Sequence, residues 1–115
     1  MIHKLLLTCI LIIITQLALA QANTMNAAQV AQKIAKKMKD SLNLTGNQKN
    51  SIYDVNMSLH SLKQDARSQI LNNSLLLTTR IQAIEKTRDS LYKPLLIIPQ
   101  YNMYKLKKRN LVSNN

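Results

Sequence analysis

The side chains able to do chemistry are few. Beyond the first twenty residues the chain holds one histidine, His60, and five acids: Asp40, Asp54, Asp65, Glu85 and Asp89. A zinc site needs several His, Cys or carboxylate ligands converging on one point. Around His60 the neighbours are Met57, Gln64 and Asp65, and helical spacing does not bring His60 and Asp65 onto one face. A histidine-based triad needs an orienting acid and a nucleophile, and serines are too frequent in this chain for any one of them to stand out. The acids lie near basic residues, spaced as solvated helix charges. The single cysteine, Cys9, belongs to the leader described next, so disulfides, thiolate metal sites and cysteine nucleophiles are all excluded from the remainder. One glycine cannot build a phosphate-cradling loop. The residues predict no enzyme, no metal and no cofactor.

What remains is a chain built to bind. Met1 to Lys4 form a charged start, Leu5 to Ile14 an apolar run, and Ala18-Leu19-Ala20 a small-x-small cleavage pattern, with Ala20-Gln21-Ala22 as a second site. This predicts a signal peptide over 1–20 and one exported domain over 21–115. The alternative is a retained anchor, since Leu5 to Ala22 is just long enough to cross a bilayer. Cys9 precedes most of the apolar run, which argues against lipid attachment. A domain this small without disulfides relies on packing, and self-association is a natural way to add burial.

The formal net charge is +11, and Lys4 is the only charge in the leader. Such a balance points to an acidic partner: negatively charged protein, anionic lipid or nucleic acid, the last disfavoured by export. A plainer reading assigns Lys36, Lys37, Lys39, Lys105, Lys107, Lys108 and Arg109 to helix C-termini, where cations complement the dipole. Three Asn-x-Ser/Thr sites, at Asn43, Asn56 and Asn72, matter only in a glycosylating pathway.

With one Gly, two Pro, no Phe and no Trp, the composition predicts helices. Ala27, Val30, Ala31, Ile34, Met38 and Leu42 share one face of a first helix over 25–42, for which Thr24 is an N-cap candidate. Leu-Thr-Gly-Asn-Gln, at 44–48, then reads as a helix start. A threonine cap accepts one of the orphan N–H groups, and a glutamine three residues later reaches back to the cap's own N–H. Leu44 packs back onto the new helix, with Ile52 as its contact. Ile52, Val55, Leu59, Leu62, Ala66 and Ile70 make a narrow seam, ended by Asn72-Asn73-Ser74. Leu75 to Leu77 fits a helix start or a short extended link. From Thr79 the pattern resumes with Ile81, Ala83, Ile84, Leu91 and Leu95, and Pro94 kinks or ends it. Pro99 to Leu111 offers Tyr101, Tyr104 and Leu106 on a basic background. The expectation is an all-α fold of three to four helices with a long antiparallel hairpin.

A short, exported, basic helical chain with Leu44-Thr45-x-x-Gln48 opening its long helix resembles the Spy/CpxP-like family of periplasmic LTxxQ-motif proteins. A second, degenerate motif follows at Leu96, Gln100 and Tyr101, with Ile97 where the capping threonine belongs. The resemblance spans roughly 25–109 and implies a thin, often cradle-shaped homodimer in the periplasm. Family members act as ATP-independent chaperones, as envelope-stress regulators that bind a sensor, or as metal-responsive proteins, and in this reading the motifs are structural. Two roles follow as expectations. One is a chaperone-like binder of unfolded or acidic clients, with Tyr53 and Met57 flanking the seam as candidate contacts. The alternative is a partner of an envelope sensor protein or an anionic membrane surface through Lys105, Lys107, Lys108 and Arg109. Metal sensing ranks behind both, because histidine-rich ends are absent.

Overall fold

The computed structural model describes residues 25–113, so the leader and Thr24 lie outside the described residues. The fold is all-α. Helix α1 runs Ala27–Leu42, α2 Gly46–Gln69, α3 Ser74–Tyr92 and α4 Ile98–Leu111, with a short 3₁₀ turn at Lys93–Leu95 between the last two. Among the described residues no helix is long and apolar enough to cross a membrane.

Each start has a local cause. The cap of α1 is Asn26, not the expected Thr24: its Oδ1 accepts the Gln29 N–H at 2.8 Å while its own N–H donates to Gln29 Oε1 at 3.0 Å. Asn26 has a glutamine three residues on, whereas Thr24 has only Ala27, and the reciprocal bond decides the boundary. Asn43 ends α1 in the left-handed conformation, φ 55°, which asparagine tolerates better than most residues. Asn72, φ 61°, makes the reversal between α2 and α3, and Asn73 caps α3 by accepting the Leu76 N–H at 3.0 Å. Leu75 to Leu77 are therefore the first turns of a helix. Pro94 ends α3 at Tyr92 and tightens the chain into the 3₁₀ turn.

The core is uneven. All four helices meet at one end, where Ile34, Met38, Leu42, Leu44, Ile52, Tyr92, Tyr104 and Leu111 are buried together. Leu44 and Ile52 share that cluster, as the reading of the helix start requires. Farther along, only α2 and α3 remain, antiparallel, and their joint core shrinks to Leu59, Ala66 and Ile84. Within α2 the seam runs Ile52, Asn56, Leu59, Lys63, Ala66. It shares Ile52, Leu59 and Ala66 with the apolar stripe, and Val55 packs half-buried against both core clusters beside the buried Asn56, while Leu62 gives way to its polar neighbour. Asn56 is buried, Lys63 half-buried and Leu62 is 48 % exposed. On α3 the inward positions are Ile84, Arg88 and Tyr92, while Ala83 and Leu91 face outward. On α4 Leu106 is 82 % exposed, and Tyr104 and Leu111 are the residues buried in the core. Two polar interior residues that apolar periodicity does not mark, Asn56 and Arg88, lie in the α2–α3 seam and hydrogen-bond across it.

Candidate functional site

The two motif glutamines meet. Gln48 Oε1 accepts the Thr45 N–H at 2.9 Å, and its Nε2 donates to Gln100 Oε1 at 2.7 Å and to the Leu95 carbonyl at 3.1 Å. Gln100 repeats the pattern: its Oε1 accepts the Ile97 N–H at 3.1 Å, and its Nε2 donates to Gln48 Oε1 at 3.3 Å and to the Asn43 carbonyl at 3.4 Å. Asn43 and Leu95 each stand two residues before their cap, so the two helix starts are related by a local pseudo-twofold. The glutamines thus do more than cap. Together they bolt the start of α4 to the start of α2 across 52 residues of sequence.

The symmetry fails at one atom. Thr45 Oγ1 accepts the Gln48 N–H at 3.1 Å, but Ile97 has no acceptor to offer the Gln100 N–H, although its backbone (φ −74°, ψ 161°) matches that of Thr45 (φ −71°, ψ 164°). Ile97 is 61 % exposed, so its side chain contributes little burial. Ile97→Thr is therefore expected to stabilise the protein by about 1 kcal/mol, read as a higher urea midpoint at unchanged slope. Tyr101, the last residue of that motif, is half-buried against Tyr104 and carries the ammonium groups of Lys93 and Lys105 at 6.0 and 5.8 Å from its ring centre.

Behind this clamp lies a closed polar network. Arg88, buried in the α2–α3 seam, donates through Nε to Glu85 Oε2 and through Nη2 to Glu85 Oε1, both at 2.9 Å. Its Nη1 donates to Asn56 Oδ1 at 3.0 Å and to the Tyr92 hydroxyl at 2.8 Å. The Tyr92 hydroxyl also donates to Asn56 Oδ1, whose amide in turn donates to the Ala31 carbonyl on α1 at 3.1 Å. Lys63 pairs with Glu85 from the other side. Burial works to raise the Glu85 pKa, but hydrogen bonds from Arg88 and Lys63 outweigh it and hold the carboxyl at about 2. For Arg88 burial acts downward and is overcome by Glu85, so the guanidinium stays charged. Burial pushes Tyr92 and Tyr104 up, the latter aided by its 2.7 Å hydrogen bond to Asp89. Among the described residues no buried side-chain N or O lacks a partner. A network this fully satisfied holds helices together.

Beside the network is a cleft of about 340 Å³ between α1, α2 and α3, lined in part by Ile34, His60, Lys63, Arg67 and Glu85. His60 is half-buried on its wall. Among the described residues no three His, Cys, Asp or Glu side chains converge as a metal site would require. Asn56, one of the three sequon asparagines, is buried and hydrogen-bonded, which removes it as an acceptor for a glycan.

The remaining candidate contacts fall on separate surfaces. Tyr53 is half-buried and walls an open groove against α1, together with Gln29, Lys33 and Lys36. Met57 is half-buried on α2. Of the four C-terminal cations on α4, Lys108 is committed to Asp89 at 2.9 Å, and hydrogen bonds from Tyr104 and Lys108 overcome burial to lower the Asp89 pKa. Lys105, Lys107 and Arg109 are exposed. Lys37, expected on the solvent side of α1, reaches the last turn of the chain and donates to the Asn110 and Ser113 carbonyls at 3.0 and 2.9 Å.

In comparison with protein-family models, with curated proteins and with solved structures, no match to this chain is found.

Proposed function

We propose that this protein is an exported, self-associating periplasmic binder of the Spy/CpxP-like LTxxQ type, which holds partly unfolded polypeptide clients without ATP. The observation that carries the reading is the outer face of α4. There Ile98 is 78 % and Leu106 82 % exposed, interleaved with Lys105, Lys107 and Arg109. Cations attract an acidic client from a distance, and uncovered apolar side chains hold it on contact. Met103, 40 % exposed on the same helix, adds an adaptable contact, because thioether side chains repack readily. The pairing of Gln48 with Gln100 supports the kinship, since it gives both motifs one shared task.

The test is light scattering of a chemically denatured acidic protein diluted into buffer at low salt. Stoichiometric amounts of the chain from Gln21 onward are expected to suppress aggregation, and Ile98→Ser with Leu106→Ser to abolish that protection while leaving the helical circular dichroism unchanged. Absence of suppression by the unaltered chain removes the chaperone reading.

A second reading, a partner of an envelope sensor, draws on the lack of any acidic residue after Asp89. Truncating α4 cannot test it, because Leu111 is in the core. Charge reversal at Lys105, Lys107 and Arg109 can: loss of sensor binding with client protection intact would favour regulation.

A further inference from the structure

We propose that the α2–α3 tip is a membrane-touching element that seats on an anionic bilayer surface. At this end, farthest from the four-helix core, Leu71 and Leu75 are 72 % and 78 % exposed and Leu76 48 %. Ile70 beside them is only half-buried. Three exposed leucines within six residues at a chain reversal are held outward by defined geometry. Asn72 adopts the left-handed turn, and Asn73 spends its side chain on the Leu76 N–H.

The charges around the tip select the occupant. Residues 66–84 contain no acid, and their only charges are Arg67 and Arg80, one on each helix and both exposed. Arg80 stands four residues from Leu76 on α3, a rise of about 6 Å along a helix, whereas Arg67 donates to Gln64 Oε1 at 3.1 Å on its own helix and adds charge near the tip rather than a fixed contact. That offset places the Arg80 guanidinium level with headgroup phosphates when the leucines reach the headgroup–acyl boundary, the depth at which apolar side chains of interfacial elements lie. Arginine is suited to such phosphate contact. A second copy of the chain does not fit as well. The end of a two-helix hairpin offers roughly 200 Å² per copy from helix diameters of about 10–12 Å, far short of the ~1,200–2,000 Å² total of a stable protein interface. A bilayer has no such requirement.

The chain contains no tryptophan, so one introduced at the tip reports alone. The chain from Gln21, which keeps every core residue described above, carries either Leu75→Trp or, as a control near the opposite end of α2, Asn50→Trp at an exposed position. With phosphatidylglycerol–phosphatidylethanolamine vesicles the Leu75→Trp emission is expected to shift to the blue and to be quenched by brominated acyl chains, with Asn50→Trp unchanged. Phosphatidylcholine vesicles are expected to give little response. Arg67→Gln and Arg80→Gln are each expected to weaken vesicle binding about fivefold, the equivalent of one basic residue at an anionic surface. Three outcomes overturn the proposal. They are no tip response to anionic vesicles, an equal response from Asn50→Trp, or a blue shift that grows with protein concentration without lipid, which would assign the tip to a second copy.

Discussion

Replacing Arg88 by alanine is expected to destabilise the protein by about 3–5 kcal/mol, a large part of what holds a domain of this size together. Arg88 is 4 % exposed and makes four hydrogen bonds, three to Glu85 and Tyr92 on its own helix and one across the seam to Asn56 on α2. Its removal strips the bidentate partner from Glu85 and leaves a cavity beside Tyr92. Arg88→Met separates the two effects. It keeps most of the volume, and Glu85 still has Lys63 while Tyr92 still donates to Asn56. The loss should then fall to about 1–3 kcal/mol, because a buried charge network is often replaceable by apolar packing. Urea denaturation followed by circular dichroism reads both variants, and a loss below 1 kcal/mol for alanine would show that the seam does not depend on the network.

The same network sets an acid limit. Glu85 has its carboxyl lowered from an ordinary 4.5 to about 2 in the fold. Its stabilisation is therefore fully present above pH 4.5 and drains away as the pH falls toward 2. For a carboxylate about a third exposed the amount is roughly 2 kcal/mol after solvent screening. In Arg88→Met the Glu85 pKa moves back toward its ordinary value, so the variant should lose less stability than the parent across that window.

How much of this was legible in the sequence depends on which force set each feature. Local hydrogen-bond chemistry was readable. Thr45 and Gln48 form the box that their spacing demands, Asn72 and Asn73 mark the reversal, and Pro94 ends α3. The cap of α1 was missed by two residues, although Asn26 and Gln29 carry the same reciprocal signal as Thr45 and Gln48. The seam was readable only in alternate turns. Ile52, Leu59 and Ala66 were found because apolar periodicity marks burial, whereas Asn56 and Arg88 carry no such mark. Their burial depends on contacts between helices: Arg88 meets Asn56 from 32 residues away, and Asn56 meets Ala31 and Tyr92 from 25 and 36. Leu106 makes the converse point: an apolar residue in a helix is not thereby inside. The exposed leucines of the tip and the outer face of α4 were unreadable for the same reason, and these uncovered positions are the ones on which both binding proposals rest.

Removing the clamp should have the second large effect. Gln48→Ala deletes the bonds to the Thr45 N–H, the Leu95 carbonyl and Gln100, and at about 0.5–1.5 kcal/mol net for each the expected loss is roughly 2–3 kcal/mol. Gln100→Ala deletes the mirrored set, of which the bond to Asn43 is the longest at 3.4 Å, so its loss should be nearer 2 kcal/mol by the same reckoning. Because each glutamine is the other's partner, the double variant should lose about 1 kcal/mol less than the sum of the singles. Additivity within ~0.5 kcal/mol would mean that the two caps act separately and that the pseudo-twofold has no energetic meaning. The cycle also bears on function. Gln48 and Gln100 fix the start of α4, and α4 carries Ile98, Leu106 and the exposed cations. If client holding needs that face at a set angle to α2, the double variant loses protection at temperatures where it is still folded, while Ile97→Thr, which tightens the same joint, retains it.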